Sequence, residues 1–175
     1  MSLETDIISN LRRVREAART LALCSSEVKN RALARLAGAL RESAGAILAA
    51  NARDLENARA QGVRTAFLER LTLNPARIEA LAVSVEQVAA LPDPVGEVIA
   101  GWRRPNGLEI TQVRVPIGVI TIVYESRPNV TVEAAVLALK AGNGAVLRGG
   151  KESLATNRLL AELTAQALEQ AGAPA

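Results

Sequence analysis

Two short polar segments carry the side chains of this chain that are best suited to binding a ligand. Residues 125–129 (Glu-Ser-Arg-Pro-Asn) follow an apolar run at 117–124, and residues 148–151 (Arg-Gly-Gly-Lys) follow a second run at 145–147. In open α/β sheets, ligands bind at the carboxyl ends of parallel strands. If the two runs are neighbouring strands, the 125–129 loop and the 148–151 turn border one crevice, and we expect the ligand site there.

The residue types in these segments suggest what could bind. Gly149 and Gly150 have no β-carbon, so the backbone can approach a ligand closely. The guanidinium of Arg127 matches the geometry of a phosphate or a carboxylate. The same residues also suit a plain strand-to-helix turn with surface charges, and Asn129 after Pro128 suits a helix cap. Residue types alone leave both interpretations open.

Cys24 is the only thiol of the chain, and there is no histidine to act as its base. It lies near the end of a predicted helix, where the helix dipole disfavours a thiolate. We predict a structural role for Cys24 and no metal, since a His/Cys site is excluded. Lys140 is also predicted to be structural, because a cation at a helix end favours the last carbonyl groups.

The composition limits the classes of partner. Hydrophobic residues make up 49% of the 175 residues but aromatic residues only 2%, too few for the stacking that single-stranded nucleic acid requires. The net charge of +3 comes from interleaved acidic and basic residues rather than a basic patch. The chain shows neither an apolar signal core nor a membrane-length apolar run. We therefore expect a cytoplasmic protein that binds neither nucleic acid nor membranes.

The first region, residues 1–92, predicts helices because apolar residues recur there at helical spacing. One helix should bury a stripe of Ile7, Leu11, Val14, Ala18 and Leu21. Helix starts are indicated at Ser25 or Ser26, at Asn51 with Asp54, and at Asn74 followed by Pro75. This region therefore predicts a helical layer that precedes the strands.

The remaining residues predict strands as well as helices. Residues 93–115 contain two extended segments around an Asn-Gly pair, which predicts a β-hairpin. Residues 116–175 alternate strand, helix, strand and helix, as in a right-handed βαβα unit. The run at 117–124 suits a strand buried on both faces, and Thr131 can cap the helix that follows. Two parallel strands do not make a stable sheet, so we expect the loop at 171–175 to lead towards another strand.

Longer motifs around the two segments resemble those of the gamma-glutamyl phosphate reductase (glutamate-5-semialdehyde dehydrogenase) family, within the aldehyde dehydrogenase superfamily. They are Val-Pro-Ile-Gly-Val-Ile-Thr-Ile-Val-Tyr-Glu-Ser-Arg-Pro-Asn at 115–129 and Leu-Lys-Ala-Gly-Asn-Gly-Ala-Val-Leu-Arg-Gly-Gly-Lys-Glu-Ser at 139–153. Phe-Leu-Glu-Arg-Leu at 67–71 and Asp-Pro-Val-Gly at 93–96 are also similar. The resemblance covers nearly the whole chain and implies the amino-terminal part of an α/β fold. In that fold, a helical region precedes the start of a Rossmann-like sheet, here truncated.

The resemblance implies an oxidoreductase of proline biosynthesis. Gamma-glutamyl phosphate is reduced with NADPH to glutamate 5-semialdehyde and phosphate, after a cysteine thiolate has displaced the phosphate. The cysteine and catalytic domain of the family would follow residue 175, so we expect this chain alone to be inactive. A non-catalytic NADPH-binding module and an unstable remnant remain alternatives. A homo-oligomer, with the 93–115 hairpin as its contact, and an association with glutamate kinase also remain open.

The resemblance also implies roles for individual residues. The cofactor site would consist of Arg148, Gly149, Gly150, Lys151, Glu125 and Ser126, and the substrate site of Arg127 and Asn129. NAD-using members of the superfamily carry an acidic residue where this chain has Lys151. That carboxylate would repel the 2′-phosphate of NADPH, whereas Lys151 and Arg148 attract it. Asn129 would donate to a developing oxyanion, as a superfamily asparagine does, and no other catalytic residue is expected on this chain.

Overall fold

A computed structural model describes residues 3–175. Met1 and Ser2, the first residues of the predicted helical region, lie outside the described residues. The helices that precede the first strand are α1 (Leu3–Leu21), α2 (Ser26–Glu42), α3 (Ala44–Ala60), α4 (Thr65–Leu71) and α5 (Pro75–Ala90). Within residues 3–175, no helix combines the length and apolar character that a membrane span needs.

The part that follows is mixed α/β, as predicted. Its elements are β1 (Val98–Arg103), β2 (Glu109–Val113), β3 (Val119–Val123), α6 (Asn129–Lys140), β4 (Gly144–Arg148), a 3₁₀ turn (Lys151–Ser153) and α7 (Leu154–Gln170). Strands β1 and β2 form an antiparallel hairpin. Strands β3 and β4 pair in parallel, from Val119 opposite Gly144 to Val123 opposite Arg148. The order β3, α6, β4, α7 confirms the predicted βαβα unit.

Two of the predicted helix starts are confirmed, and one is wrong. The Ser25 side chain accepts from the N–H of Val28, and Asn74 accepts from the N–H of Arg77 with Pro75 at the first helical position. Asn51 and Asp54 start no helix, because α3 already begins at Ala44. Both of these side chains are buried and bond to other parts of the chain.

The core is aliphatic and centres on α2, which packs against α5, α6 and α7. The apolar face of α2, with Leu33, Leu36 and Leu40 fully buried, meets Val85 of α5 and Leu160 of α7 within one continuous cluster. A core of leucine, valine and alanine is what the low aromatic content requires.

Two apolar stretches are less buried than their patterns predict. In α1, Ala18 and Leu21 are buried, but Ile7 and Leu11 at the other end of the stripe are exposed. In the run at 117–124, Val123 is 69% exposed, so this strand is not buried on both faces. The reason is that the described sheet has only two strands, and α1 and α6 cover only part of its two faces.

The hairpin differs in its turn from a simple two-residue Asn-Gly turn. Among the residues of this turn, only Gly107 has a positive φ, at 87°, and its N–H donates to the carbonyl of Arg104. This is the conformation of a longer turn that ends in a glycine bulge. Both strands of the hairpin are largely exposed, including the side chain of Trp102.

A buried charged cluster joins α2, α6 and the segment after α5. Lys29, which is 1% exposed, pairs with Asp93, and Lys140 donates to Asn30 Oδ1 at 2.5 Å and to the carbonyl of Ala89 at 2.9 Å. Burial lowers the pKa of Lys140. Burial alone would raise the pKa of Asp93, but the hydrogen bond from Lys29 helps to hold it below its ordinary value. The Lys140 ammonium group thus donates to α2 and α5. Within the described residues, the expected contact with the last carbonyl groups of α6 is not found.

Candidate functional site

The 125–129 loop and the 148–151 turn lie side by side at the carboxyl ends of the parallel strands. The N–H of Tyr124 donates to the carbonyl of Arg148 at 3.1 Å, which extends the strand pairing to the start of both segments. A β-carbon placed on Gly150 would lie 3.6 Å from the backbone nitrogen of Ser126. The structure therefore places both predicted segments side by side at the carboxyl edge of the sheet, and we call the region that they border the crevice.

The two glycines of the turn have different surroundings. A β-carbon on Gly149 would lie 2.3 Å from Nδ2 of Asn157 and 3.1 Å from the ring of Tyr124, so packing excludes any side chain there. At Gly150 the nearest atom would be Oε2 of Glu152, the end of a flexible side chain. Gly149 is thus needed to pack the turn against the protein, whereas a β-carbon at Gly150, which is itself buried, would meet a side chain that can move away.

A series of linked side-chain hydrogen bonds stabilises the crevice, and no local sequence pattern predicts it. The hydroxyls of Tyr124 and Thr131 lie 2.6 Å apart, and Thr131 Oγ1 donates to Asn157 Oδ1 at 3.0 Å. Asn157 Nδ2 donates to Ser153 Oγ at 2.9 Å, and Ser153 donates to the carbonyl of Gly150. Thr131 is therefore a buried link between helices and not the cap of α6, which begins at Asn129 without a side-chain cap.

Asp54 holds the start of α7 beside the turn. Its carboxylate accepts from the N–H of Ala155 at 3.1 Å, from the N–H of Thr156 at 2.8 Å and from the hydroxyl of Thr156 at 2.7 Å. The two N–H groups belong to the first turn of the helix, where N–H groups have no partner within the helix. A residue of α3 thus caps α7 from outside and fixes the direction in which the 148–151 turn leads into it.

Ser126 has a strained backbone and an unsatisfied side chain. Among the described residues other than glycine, only Ser126 has a positive φ, at 47°. Ser126 is 2% exposed, and its Oγ has no hydrogen-bond partner within the described part of the chain. A strained backbone costs about 1–3 kcal/mol and is found most often at ligand sites. The pairing of strain with a buried, unused hydroxyl makes Ser126 the residue of the loop best placed to serve a ligand.

Replacing Ser126 by glycine is expected to stabilise the chain by about 1 kcal/mol, or roughly 2–4 °C in melting temperature. Glycine accepts the positive φ and removes the buried hydroxyl, at some cost in the entropy of the unfolded chain. Thermal unfolding followed by circular dichroism measures the change. Ser126→Ala is the control, because it removes the hydroxyl but keeps the strain. A Ser126→Gly variant less stable than Ser126→Ala would show that the backbone is not strained.

The charged residues of the two segments are exposed around the crevice. Arg148 and Lys151 stand at the two ends of the turn, and Glu125 begins the loop. Within residues 3–175, no acidic side chain pairs with Arg148 or Lys151. Two free cations beside a backbone turn suit an anionic ligand.

The end of the loop borders a separate cleft. Arg127 lies there with an exposed side chain, and the amide of Asn129 donates to Glu133 Oε1 at 3.0 Å. Arg70 and Arg77 line the same cleft, although they are far from the loop in sequence. The arginine-rich cleft therefore combines residues of both regions of the chain.

No protein-family model matches the chain, but individual proteins do. It is 55% identical over 177 residues to the gamma-glutamyl phosphate reductase of Rhodospirillum rubrum, which covers 98% of this chain. The crystal structure of the gamma-glutamyl phosphate reductase of Thermotoga maritima matches 95% of the chain with a TM-score of 0.92 and 45% identity. The chain is therefore similar, along nearly its whole length, to part of the gamma-glutamyl phosphate reductases. It spans 42% of the Rhodospirillum protein and 40% of the Thermotoga chain, so it corresponds to less than half of either.

The fold is that of the aldehyde dehydrogenases. A probable aldehyde dehydrogenase from Listeria monocytogenes matches 97% of this chain with a TM-score of 0.66 at 14% identity, and the chain covers 35% of it. At that identity only the fold is shared. The βαβα unit is therefore the start of the larger sheet of this fold, as the reductase motifs implied.

Cys24, the only cysteine of the chain, lies outside the two segments that border the crevice. It follows the end of α1, is half-buried and packs against the helical core. Its Sγ lies 3.6 Å from the carbonyl of Thr20, to which it donates. These contacts agree with the structural role predicted for Cys24.

Proposed function

We propose that this chain is the NADPH-binding part of a gamma-glutamyl phosphate reductase. The observation that carries the proposal is the 148–151 turn, where Arg148 and Lys151 stand unpaired beside Gly150 at the carboxyl end of a parallel strand. An anionic dinucleotide needs both a close backbone and positive charge. The buried, unpartnered hydroxyl of Ser126 on the facing loop adds a group that a ligand would satisfy.

In this proposal each residue of the crevice contacts a different part of the cofactor or the substrate. Lys151 and Arg148 bind the 2′-phosphate, the backbone at Gly150 approaches the cofactor, and Ser126 with Glu125 borders it from the facing loop. Arg127 and Asn129 face the substrate, gamma-glutamyl phosphate. When bound, NADPH supplies the hydride that converts the acyl group to glutamate 5-semialdehyde after phosphate has left. Asn129 can stabilise an oxyanion only if its amide leaves Glu133.

The proposal separates binding from turnover. Covalent catalysis needs a nucleophile held against the hydride donor. Cys24 sits at the end of α1 in the helical core, and α1 places no thiol at the crevice. We propose that this chain alone binds NADPH without reducing the substrate.

The β1–β2 hairpin is proposed as a contact between copies of the family's chains. Its strands bury almost nothing within residues 3–175, and Val98, Trp102 and Val113 are exposed apolar side chains. Exposed apolar residues on a paired ribbon favour contact with another surface.

Titration of the purified chain with NADPH and with NADH tests the proposed function. Saturable binding that favours NADPH, measured by calorimetry, is expected together with a cooperative thermal unfolding. The absence of binding to either cofactor by a cooperatively folded chain would contradict the proposal. A broad, non-cooperative melt would support the unstable-remnant alternative, and measurable turnover of gamma-glutamyl phosphate by the chain alone would contradict the separation of binding from turnover.

A further inference from the structure

A cleft of about 320 Å³ lies where α4, the start of α5 and the 125–129 loop meet. We call it the arginine cleft, after Arg70, Arg77 and Arg127. Each arginine comes from a different element, since Arg70 is near the end of α4, Arg77 in the first turn of α5 and Arg127 in the loop. Its volume is that of a site for a small metabolite.

The arginines of the cleft are not equivalent. Arg77 is anchored, because its Nη1 donates to the carbonyl of Glu69 at 2.9 Å and to the carbonyl of Thr72. Within the described residues, neither Arg70 nor Arg127 has a side-chain hydrogen bond or an ion pair. Positive groups gathered in one cleft repel each other unless an anion lies between them. Two free guanidinium groups therefore offer a place for a carboxylate or a phosphate.

Glu133 gives the cleft an opposite charge at a defined point. Its Oε1 accepts from Asn129 Nδ2 at 3.0 Å, which fixes the carboxylate and leaves Oε2 without a bond among the described residues. A fixed carboxylate near two free guanidinium groups is a poor site for a simple anion. It suits a ligand that carries a negative and a positive group on the same carbon, as an α-amino acid does.

We infer that the arginine cleft binds the α-amino-acid end of the substrate, with Arg70 and Arg127 on its α-carboxylate and Glu133 on its α-ammonium group. The inference rests on the proposed function, because it assigns one end of gamma-glutamyl phosphate. Arg127 and Asn129 belong both to the cleft and to the loop that borders the cofactor crevice. A substrate held by its amino-acid end in the cleft would extend its acyl phosphate towards that crevice.

Binding of L-glutamate to the purified chain, followed by NMR chemical-shift changes, tests the inference. L-glutamate is expected to bind saturably. Two analogues are expected to bind about tenfold more weakly, because each loses one charge-assisted contact. They are glutarate, which lacks the ammonium group, and 4-aminobutyrate, which lacks the α-carboxylate. Equal binding of all three compounds would overturn the inference, as would the absence of L-glutamate binding.

Variants identify the groups responsible. Arg70→Gln and Arg127→Gln are each expected to weaken L-glutamate binding about tenfold. Glu133→Gln should weaken the binding of L-glutamate but not that of glutarate, which a merely structural role would not explain. Arg64→Gln is the matched control, because Arg64 is an exposed arginine next to α4 that lies outside the cleft. A loss in Arg64→Gln equal to that in Arg70→Gln would overturn the inference.

NADPH binding separates failure of this inference from failure of the proposed function. The 148–151 turn does not line the cleft, and neither Arg70 nor Glu133 belongs to the loop that borders the crevice, so Arg70→Gln and Glu133→Gln should bind NADPH as the unchanged chain does. A chain that binds NADPH but shows no preference for L-glutamate would refute the amino-acid cleft alone. If the Arg70→Gln chain is misfolded, Arg127→Gln decides the matter, because Arg127 is exposed and its side chain has no partner within residues 3–175.

Discussion

Replacing Asp54 by alanine is expected to lower the free energy of unfolding by about 3–4 kcal/mol. The buried carboxylate accepts three hydrogen bonds from Ala155 and Thr156, and it caps the positive end of α7. Alanine would leave these donors without a partner in a site closed to water. The loss would be large because each unsatisfied buried donor adds its own desolvation cost.

Urea unfolding followed by circular dichroism measures this effect. Glu56→Ala is the matched control, since Glu56 is an exposed carboxylate on the same helix and should change stability by less than about 0.5 kcal/mol. Asp54→Asn should lie between the two, because it keeps one acceptor oxygen. An Asp54→Ala variant as stable as Glu56→Ala would refute the role of Asp54 as the cap of α7.

Replacing Lys151 by glutamate is expected to weaken NADPH binding on the order of 100-fold while NADH binding stays within a few-fold. The substitution removes a free cation from the turn and places a carboxylate where the 2′-phosphate would bind. NADH lacks that phosphate and loses nothing comparable. The preference between the two cofactors should therefore shrink or reverse.

Calorimetric titrations with both cofactors measure the change. Arg59→Glu serves as the control, because it reverses an exposed charge near the end of α3, outside the 148–151 turn. Raising the salt concentration should weaken NADPH binding to the unchanged chain more than to Lys151→Glu, since screening acts on the removed charge. Equal losses for NADPH and NADH in Lys151→Glu would place the 2′-phosphate elsewhere.

Local patterns predicted most of the elements of this protein. Asn74 and Pro75 start α5 as expected, and Asn-Gly between extended segments gives the β1–β2 hairpin. The alternation of apolar runs and helical spacing predicted the βαβα unit, and with it the meeting of the 125–129 loop and the 148–151 turn. The helices, strands and turns depend on residues a few positions apart. The connection rules for parallel strands then predict how the two strands pair and where the segments after them lie.

Burial was predicted less well, because it depends on what packs against each face. The run at 117–124 has the composition of an interior strand, yet Val123 is exposed in this two-stranded sheet. The stripe of α1 is buried only towards Leu21. Hydrophobic patterns show which face prefers burial, and they do not show whether another element covers it.

The sequence by itself determined the helices, the strands and the two segments that border the crevice, because short-range sterics, caps and periodicity act within a few residues. Only the tertiary structure decided that Asp54 caps a helix about a hundred residues away, that Asn157 and Tyr124 exclude a side chain at Gly149, and that Arg70 and Arg127 line one cleft. Such contacts arise because α2 packs against α5, α6 and α7, and α3 packs against α4, α7 and the 3₁₀ turn. No local sequence pattern predicts these contacts, because the sequence around each residue does not depend on where its partner lies.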